Sequence, residues 1–324
     1  MTAPAASPQA AVLGEAIERI AGNVEQVILG KPEVVRQLVL CLLAEGHVLL
    51  EDVPGVGKTT LAKALARSVD TTFGRIQFTP DLMPADVIGV SVWDRSASAF
   101  VLHRGPIFSG VVVADEINRA SPKTQSALLE AMAERHVTID GETHALGRPF
   151  LVLATQNPVE HQGTFPLPES QLDRFLMRVS IGYPSRDAER QMLDELGSDI
   201  DPAAQVQPVT TASEVRALSS AVDQVHVAPA LRGYLVDLAE ATRRHPLVAL
   251  GMSPRATLNL QRVARARAAS LGRHFVTPDD IKVLAAPVLA HRLILSREAE
   301  VQGATGAEAL DDVLRAVPVP TARA

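Results

Sequence analysis

Two glycines ahead of a lysine and two threonines, Gly55-Val56-Gly57-Lys58-Thr59-Thr60, are the residues of this chain best suited to chemistry. Glycine lets backbone N–H groups converge on an anion, lysine adds a positive charge, and a threonine hydroxyl can ligate a hard cation. An apolar run, His47-Val48-Leu49-Leu50, leads into the loop, and a helical pattern (Leu61, Ala62, Leu65) starts at the lysine. A strand, a glycine-rich loop and a helix N-terminus in that order cradle phosphates. The strict pattern has a further glycine where this chain carries Asp52. Aspartate tolerates left-handed backbone angles, but its carboxylate has to turn away from bound phosphates. The plain alternative is a turn that binds nothing.

A second signature lies downstream, in Gly110-Val111-Val112-Val113-Ala114-Asp115-Glu116. An apolar strand ending in two carboxylates reads as a Walker B segment. Asp115 would complete, with Thr59, the shell of a Mg2+ ion, and Glu116 would polarise the attacking water as a general base. Alone, such a run is more often an ordinary strand end; paired with Gly57-Lys58-Thr59 it points to ATP and Mg2+ as ligands and to ATP hydrolysis. The chain has no Asn-Lys-x-Asp guanine signature, which disfavours GTP. A third strand, Leu151-Val152-Leu153-Ala154-Thr155-Gln156, ends in Asn157-Pro158. Asn-Pro by itself is a turn signal. Behind the Walker B strand it resembles the sensor 1 strand of AAA+ ATPases, which implies that Asn157 bridges the water and the terminal phosphate.

The elements that must hold these residues follow from periodicity. Short unbroken apolar runs at 47–50, 75–78, 111–114, 151–154 and 177–181 predict strands covered on both faces. Helical patterns lie between several of them, and that alternation predicts a parallel α/β sheet. After Tyr183-Pro184 the strand signals stop, and helices are predicted over 187–196, 212–222, 229–244, 254–271 and 278–294. The predicted organisation is a loose N-terminal tail (1–10), an αβα nucleotide-binding core with parallel sheet (11–184), a small all-helical lid domain (185–296) and a C-terminal tail (297–324) with one weak helix. Hydrophobic residues make up 47% of the 324, which argues against disorder over most of the length. Net charge is −6 with no strongly basic block, so a nucleic-acid partner is not expected. Cys41, the only cysteine, sits in an apolar run and reads as a buried small hydrophobe. The first charge is Glu15, so no secretory leader is expected, and no apolar run approaches the ~18 residues of a membrane helix. A cytoplasmic location is expected.

The ordered set of motifs resembles the MoxR family of AAA+ ATPases. The resemblance is carried by residues 48–59, Ala114-Asp115-Glu116-Ile117-Asn118-Arg119-Ala120, Ala154-Thr155-Gln156-Asn157-Pro158, Phe78-Thr79-Pro80-Asp81-Leu82-Met83-Pro84, Gly163-Thr164-Phe165-Pro166-Leu167-Pro168-Glu169 and Gln171-Leu172-Asp173-Arg174-Phe175. It spans about residues 11 to 296, and Asp52 is itself a family feature. The resemblance implies Pro54, Gly55, Val56, Gly57, Lys58, Thr59, Thr60 and Asp115 as nucleotide contacts, and places Gly30, behind Val27-Ile28-Leu29, beside the adenine. It implies Arg174 as an arginine finger reaching the site of a neighbouring subunit, with Arg178 and Arg119 as rivals. Arg255, in Gly251-Met252-Ser253-Pro254-Arg255, resembles sensor 2.

Two hairpins are expected. One runs through Val90-Ser91-Val92-Trp93 and Phe100-Val101-Leu102. The other has arms 136–139 and 143–146 and turns at Asp140-Gly141. The resemblance makes them substrate- or partner-facing; the plain alternative is that they only extend the sheet. Asp94-Arg95-Ser96-Ala97-Ser98 mimics a metal-dependent adhesion motif, but Asp and Ser are ordinary turn residues there. The function expected from the resemblance is a chaperone-like assembly factor. It would work as a self-associated ring, most simply a hexamer, with a von Willebrand factor A domain partner and a client enzyme. The alternatives are a nucleic-acid motor or transcription activator, and a nucleotide-gated scaffold with little turnover. The first lacks the Gly-Ala-Phe-Thr-Gly-Ala loop here, and Glu116 and Asn157 speak against the second.

Overall fold

The computed structural model describes residues 8–53, 55–157, 164–195 and 201–320. Along the chain come α1 (Pro8–Glu25), α2 (Pro32–Leu43), β1 (Val48–Glu51), α3 (Lys58–Ser68), β2 (Phe73–Gln77), α4 (Pro84–Ile88), β3 (Gly89–Asp94), β4 (Ala99–Arg104), β5 (Val111–Asp115), α5 (Pro122–Glu134), β6 (His136–Ile139), β7 (Glu142–Ala145), β8 (Leu151–Gln156), α6 (Glu169–Leu172) and β9 (Met177–Val179). There follow α7 (Arg186–Glu195), α8 (Ala212–Asp223), α9 (Pro229–Arg244), β10 (Val248–Leu250), α10 (Pro254–Ser270), α11 (Pro278–Leu289), β11 (Ile294–Leu295), α12 (Arg297–Val301) and α13 (Gly306–Ala316). The chain divides into two compact units. A sheet unit holds Arg19–Leu167 and Val179–Arg216. A helical unit holds the residues up to Glu18, Pro168–Arg178 and the residues from Ala217 on.

The five expected strands become one sheet in the order β2-β5-β8-β1-β9, with β2 on β5, β5 on β8 and β8 on β1 all parallel; β2 is Phe73–Gln77 rather than 75–78, and it alternates buried with exposed residues instead of being apolar throughout. Val48 to Leu50, Val111 to Ala114 and Leu151 to Ala154 have no exposed surface, as strands covered on both faces require. This parallel order brings the C-terminal ends of β1, β5 and β8 to one edge, where a doubly covered α/β sheet binds its ligands. The two hairpins form as β3–β4 and β6–β7. Asp140 and Gly141 both have positive φ, the condition for a two-residue turn that follows the strand twist. Asp94 builds the other turn by accepting hydrogen bonds from Ser96 N at 2.7 Å and Ser96 Oγ at 2.6 Å. Cys41 is buried, and burial pushes its thiol pKa up.

Beneath the sheet, His47 ties three elements together. Its Nδ1 accepts from Val152 N at 3.0 Å and its Nε2 lies 3.1 Å from Met132 O, so the neutral ring satisfies one donor and one acceptor. Burial, first, and the Arg135 charge push its pKa down to about 4, against the Met132 hydrogen bond. The unfolded chain therefore takes up this proton at a higher pH than the folded one. The stabilisation is complete above the ordinary value of 6.5 and is lost as pH falls towards 4. The loss amounts to about 3 kcal/mol. Thermal unfolding between pH 7.5 and 4.5 should show this decline, and His47→Gln should remove its share, leaving that of His291, lowered to about 3. An acid slope identical in His47→Gln and wild type would refute the assignment.

The helical unit differs from the sequence reading in two places. It is not wholly helical, because Leu250 and Val248 pair with Ile294 and Leu295 in a two-stranded antiparallel ribbon. Strands of two and three residues leave no readable alternation. The C-terminal stretch also contributes to the core: α13, capped by Thr305 and Glu308, buries Ala309, Leu310 and Val313 and packs on α9 and α11. The units also divide away from the expected boundary at 184–185, since Val179–Arg216 groups with the sheet and Pro168–Arg178 with the helices. Among the described residues no helix is long and apolar enough to cross a membrane.

Candidate functional site

At the edge where β1 ends, the chain turns through the glycine loop into α3. Gly55 and Gly57 have φ of 86° and 88°, and a Cβ at either would meet nothing within 4 Å. Crowding therefore does not demand glycine there. The left-handed backbone does, and the space above it is open. Lys58, the first residue of α3, donates from Nζ to Asp52 O at 2.8 Å. Burial lowers its pKa, opposed by the charges of Asp52, Asp115 and Glu116. The Asp52 carboxylate does turn away from the loop. It accepts from Ser180 Oγ at 2.9 Å, from Gly182 N at 2.9 Å and from Ile181 N. The residue that breaks the strict motif thus fastens the loop to the chain just beyond β9.

The end of β5 supplies the carboxylates. Asp115 Oδ2 accepts from Arg75 Nε at 2.8 Å. Glu116 follows in a left-handed conformation (φ 58°, ψ 49°), strained for a residue other than glycine, and its N–H donates to Thr155 Oγ1 at 2.9 Å. Its Oε2 accepts from Gln77 Nε2 at 3.1 Å and Arg119 Nη1 at 2.9 Å. Asn157 is buried at the end of β8. Gly55, Gly57, Lys58, Thr59, Thr60, Asp115, Glu116 and Asn157 all line one cavity of about 380 Å³. A carboxylate and a hydroxyl facing the same space are the hard oxygen donors a divalent cation takes.

Beside it lies an apolar cavity of about 200 Å³, lined by Val27, Ile28, Leu29, Ile181, Pro184 and Met192 and sharing Gly55, Val56, Gly57 and Thr60 with the loop. Gly30, with φ of 71°, turns the chain from these residues to Lys31, whose Nζ donates to Tyr183 O at 2.7 Å. A slot of this kind accepts a flat apolar ring next to a phosphate cradle. Pro54 lies outside the described residues.

Arg174 and Arg255 belong to the helical unit. Arg174 follows α6, with its N–H donating to Gln171 O at 3.1 Å. Arg255 lies in the first turn of α10, whose N-cap Ser253 accepts from Ala256 N at 3.1 Å. Arg75, Gln77 and Thr155, which are not among the expected site residues, line the same cavity. Arg75 and Gln77 alternate on β2, and that two-residue spacing on a strand beside β5 is the signal the sequence offers for them.

Residues 47–177 match the family model described as "ATPase family associated with various cellular activities (AAA)", and 240–313 match the AAA lid domain. Chaperone MoxR1 of Mycobacterium tuberculosis is 41% identical over 95% of this chain and 83% of its own length. Protein MoxR of Paracoccus denitrificans is 35% identical over 91% and 94%. Protein YeaC of Bacillus subtilis, itself uncharacterized, is 46% identical over 96% of both chains. The crystal structure of a candidate ATPase from Cytophaga hutchinsonii superposes with a TM-score of 0.90 at 37% identity, covering 97% of each chain.

Proposed function

Because the chain belongs to the MoxR family of AAA+ ATPases, we propose that it is a Mg2+-dependent ATP hydrolase that works as a ring of copies, most simply a hexamer, and remodels or activates a client protein complex together with a von Willebrand factor A domain protein. That it is an ATP-hydrolysing, chaperone-like enzyme follows from the family. The observation that supports Mg2+-dependent hydrolysis is the one cavity in which the glycine loop, Lys58, Asp115, Glu116 and Asn157 converge; the ring and the partner rest on the family resemblance.

Gly55, Val56, Gly57, Lys58, Thr59 and Thr60, with Pro54 of the same loop, would hold the phosphates. Val27, Ile28 and Leu29, before the turn at Gly30, would hold the base. Thr59 and Asp115 would hold Mg2+, which supplies charge neutralisation at phosphate oxygens. Glu116 would take the proton of the attacking water and Asn157 would orient that water. Arg255 would stabilise developing charge within the same chain, and Arg174 would do so from the neighbouring one. Arg119 and Arg178 are the rival fingers; the Arg119 guanidinium lies 2.9 Å from Glu116 Oε2 of its own chain. The β3–β4 hairpin supports a client-facing surface: Trp93 and Phe100 are exposed as a cross-strand pair, edge to face at 5.3 Å.

The test holds the chain in its ATP-bound form with Glu116→Gln and asks what co-purifies. A von Willebrand factor A domain protein should be retained with ATP and lost with Lys58→Ala. Equal recovery with both variants, or recovery of no such protein, would refute the partner. A chain that stays monomeric with ATP in the Glu116→Gln form would refute the ring.

A further inference from the structure

Arg292 is an arginine whose side chain keeps only 2% of its surface exposed. Arginine is almost never buried this far without partners, and its partners here have a pattern. Nη2 donates to Phe175 O, and Nη1 lies 3.4 Å from Asp173 Oδ1. The Asn259 amide, with its oxygen turned to the guanidinium, accepts from Nη1 at 3.1 Å and Nη2 at 2.9 Å. The neighbouring His291 Nε2 lies 3.2 Å from the same Phe175 carbonyl. Asp173 in turn accepts from Ser253 Oγ, 3.4 Å from each carboxylate oxygen. Ser253 is the N-cap of α10, Arg255 stands in that helix's first turn, and Asn259 lies one turn further on. Burial lowers the Arg292 pKa to about 10, with Asp173 opposing and the Arg255 charge adding to the shift.

We propose that Arg292 is a positioning residue that grips the chain on both sides of Arg174, at Asp173 and Phe175, and fastens it to the start of α10, so that Arg174 and Arg255 are carried by one rigid piece. The consequence rests on the roles proposed above for those two arginines. A displacement of α10 when Arg255 meets its own chain's nucleotide would move Arg174 with it, and so reach the next copy's site. The fork of the guanidinium is what allows this. A point charge could pair with Asp173, but it could not also hold a carbonyl and an amide in one plane.

The test reads amide exchange and kinetics on the full chain. Arg292→Gln is expected to speed exchange over residues 171–177 about tenfold, leaving β5 and β8 unchanged. It is expected to lower kcat about tenfold with KM for ATP within about twofold. In an Arg174→Ala background it should add no further loss, because both changes remove the same contribution. Arg292→Lys should fall between Arg292→Gln and wild type. Should Arg292→Gln fail to fold, Asp173→Asn removes one leg of the grip at a more exposed group and should reproduce the exchange effect. Unchanged exchange over 171–177 overturns the proposal, as does a kcat loss that simply adds to that of Arg174→Ala. If Arg174→Ala alone turns over at the wild-type rate, the finger role fails, and the exchange result alone decides whether Arg292 holds this segment to α10.

Discussion

Glu116→Gln is expected to lower the ATP turnover number by roughly 10²- to 10⁴-fold, the usual worth of a positioned general base, while ATP still binds. The surroundings of Glu116 separate the two effects. Its carboxylate accepts from Gln77 and Arg119, and a glutamine amide can present its oxygen to both, so the local structure should survive. The lost Arg119 ion pair is half exposed on its arginine side, which limits that cost to about 1 kcal/mol or less. The glycine loop and Lys58, to which binding is assigned, are untouched. What the amide cannot do is accept a proton from water. Phosphate release under steady state, set beside titration with a fluorescent ATP analogue, checks both halves. Turnover within about threefold of wild type would leave general-base catalysis to another group, and a lost affinity would mean that Glu116 serves the loop.

The left-handed backbone at Glu116 bears on the same result. A non-glycine residue in that region costs of order 1 kcal/mol or more and persists where its surroundings over-determine it. Here the bond from its N–H to Thr155 Oγ1 holds the turn, and Thr155 Oγ1 also reaches Asp115 Oδ1 at 3.4 Å. The end of β8 and the end of β5 are thereby joined through one hydroxyl. Gln in place of Glu leaves this backbone arrangement alone.

What could be read before the fold was known, and what could not, divides by sequence distance. The central strands β1, β5 and β8 were legible as apolar runs, and the β6–β7 turn as Asp140-Gly141, because each of these is decided by neighbours along the chain. The glycine-rich loop between β1 and α3 was legible for the same reason. β2 and β9 instead alternate buried with more exposed residues. The partners of the site residues were not. Gln77 reaches Glu116 only because the β2–β5 register sets Gln77 opposite Asp115, and register depends on how whole strands pair. Asp52 could be expected to turn from the phosphates by charge repulsion. That it turns to Ser180, Ile181 and Gly182 depends on where β9 ends. The grouping of Pro168–Arg178 with the helical unit was hidden too. Asp173 and Phe175 of that segment contact Arg292, more than a hundred positions on, and a lone arginine before a two-residue strand carries no local sign of such a contact.

Arg174→Ala is expected to reduce turnover about 10³-fold, as removal of an arginine finger does, with nucleotide affinity little changed. The more decisive result comes from mixing. A chain with Arg174→Ala keeps its own glycine loop, Lys58 and Glu116; a chain with Lys58→Ala keeps Arg174 but should not hold ATP productively. Each alone should be nearly inactive. In a head-to-tail ring each interface joins one chain's site to the next chain's finger, so equal random mixing should place an intact Arg174 against an intact site at roughly a quarter of the interfaces. Activity should rise to about that fraction of wild type, and should rise only under conditions where rings re-form. An arginine acting within its own chain, or serving only to keep the segment folded, would give no recovery at any mixing ratio. Substituting Arg119 or Arg178 in place of Arg174 in the same experiment assigns the finger among the three. With Arg174 as the finger, Arg119→Ala should show no recovery of this kind. Any rate it loses should stay with the chain that carries the change.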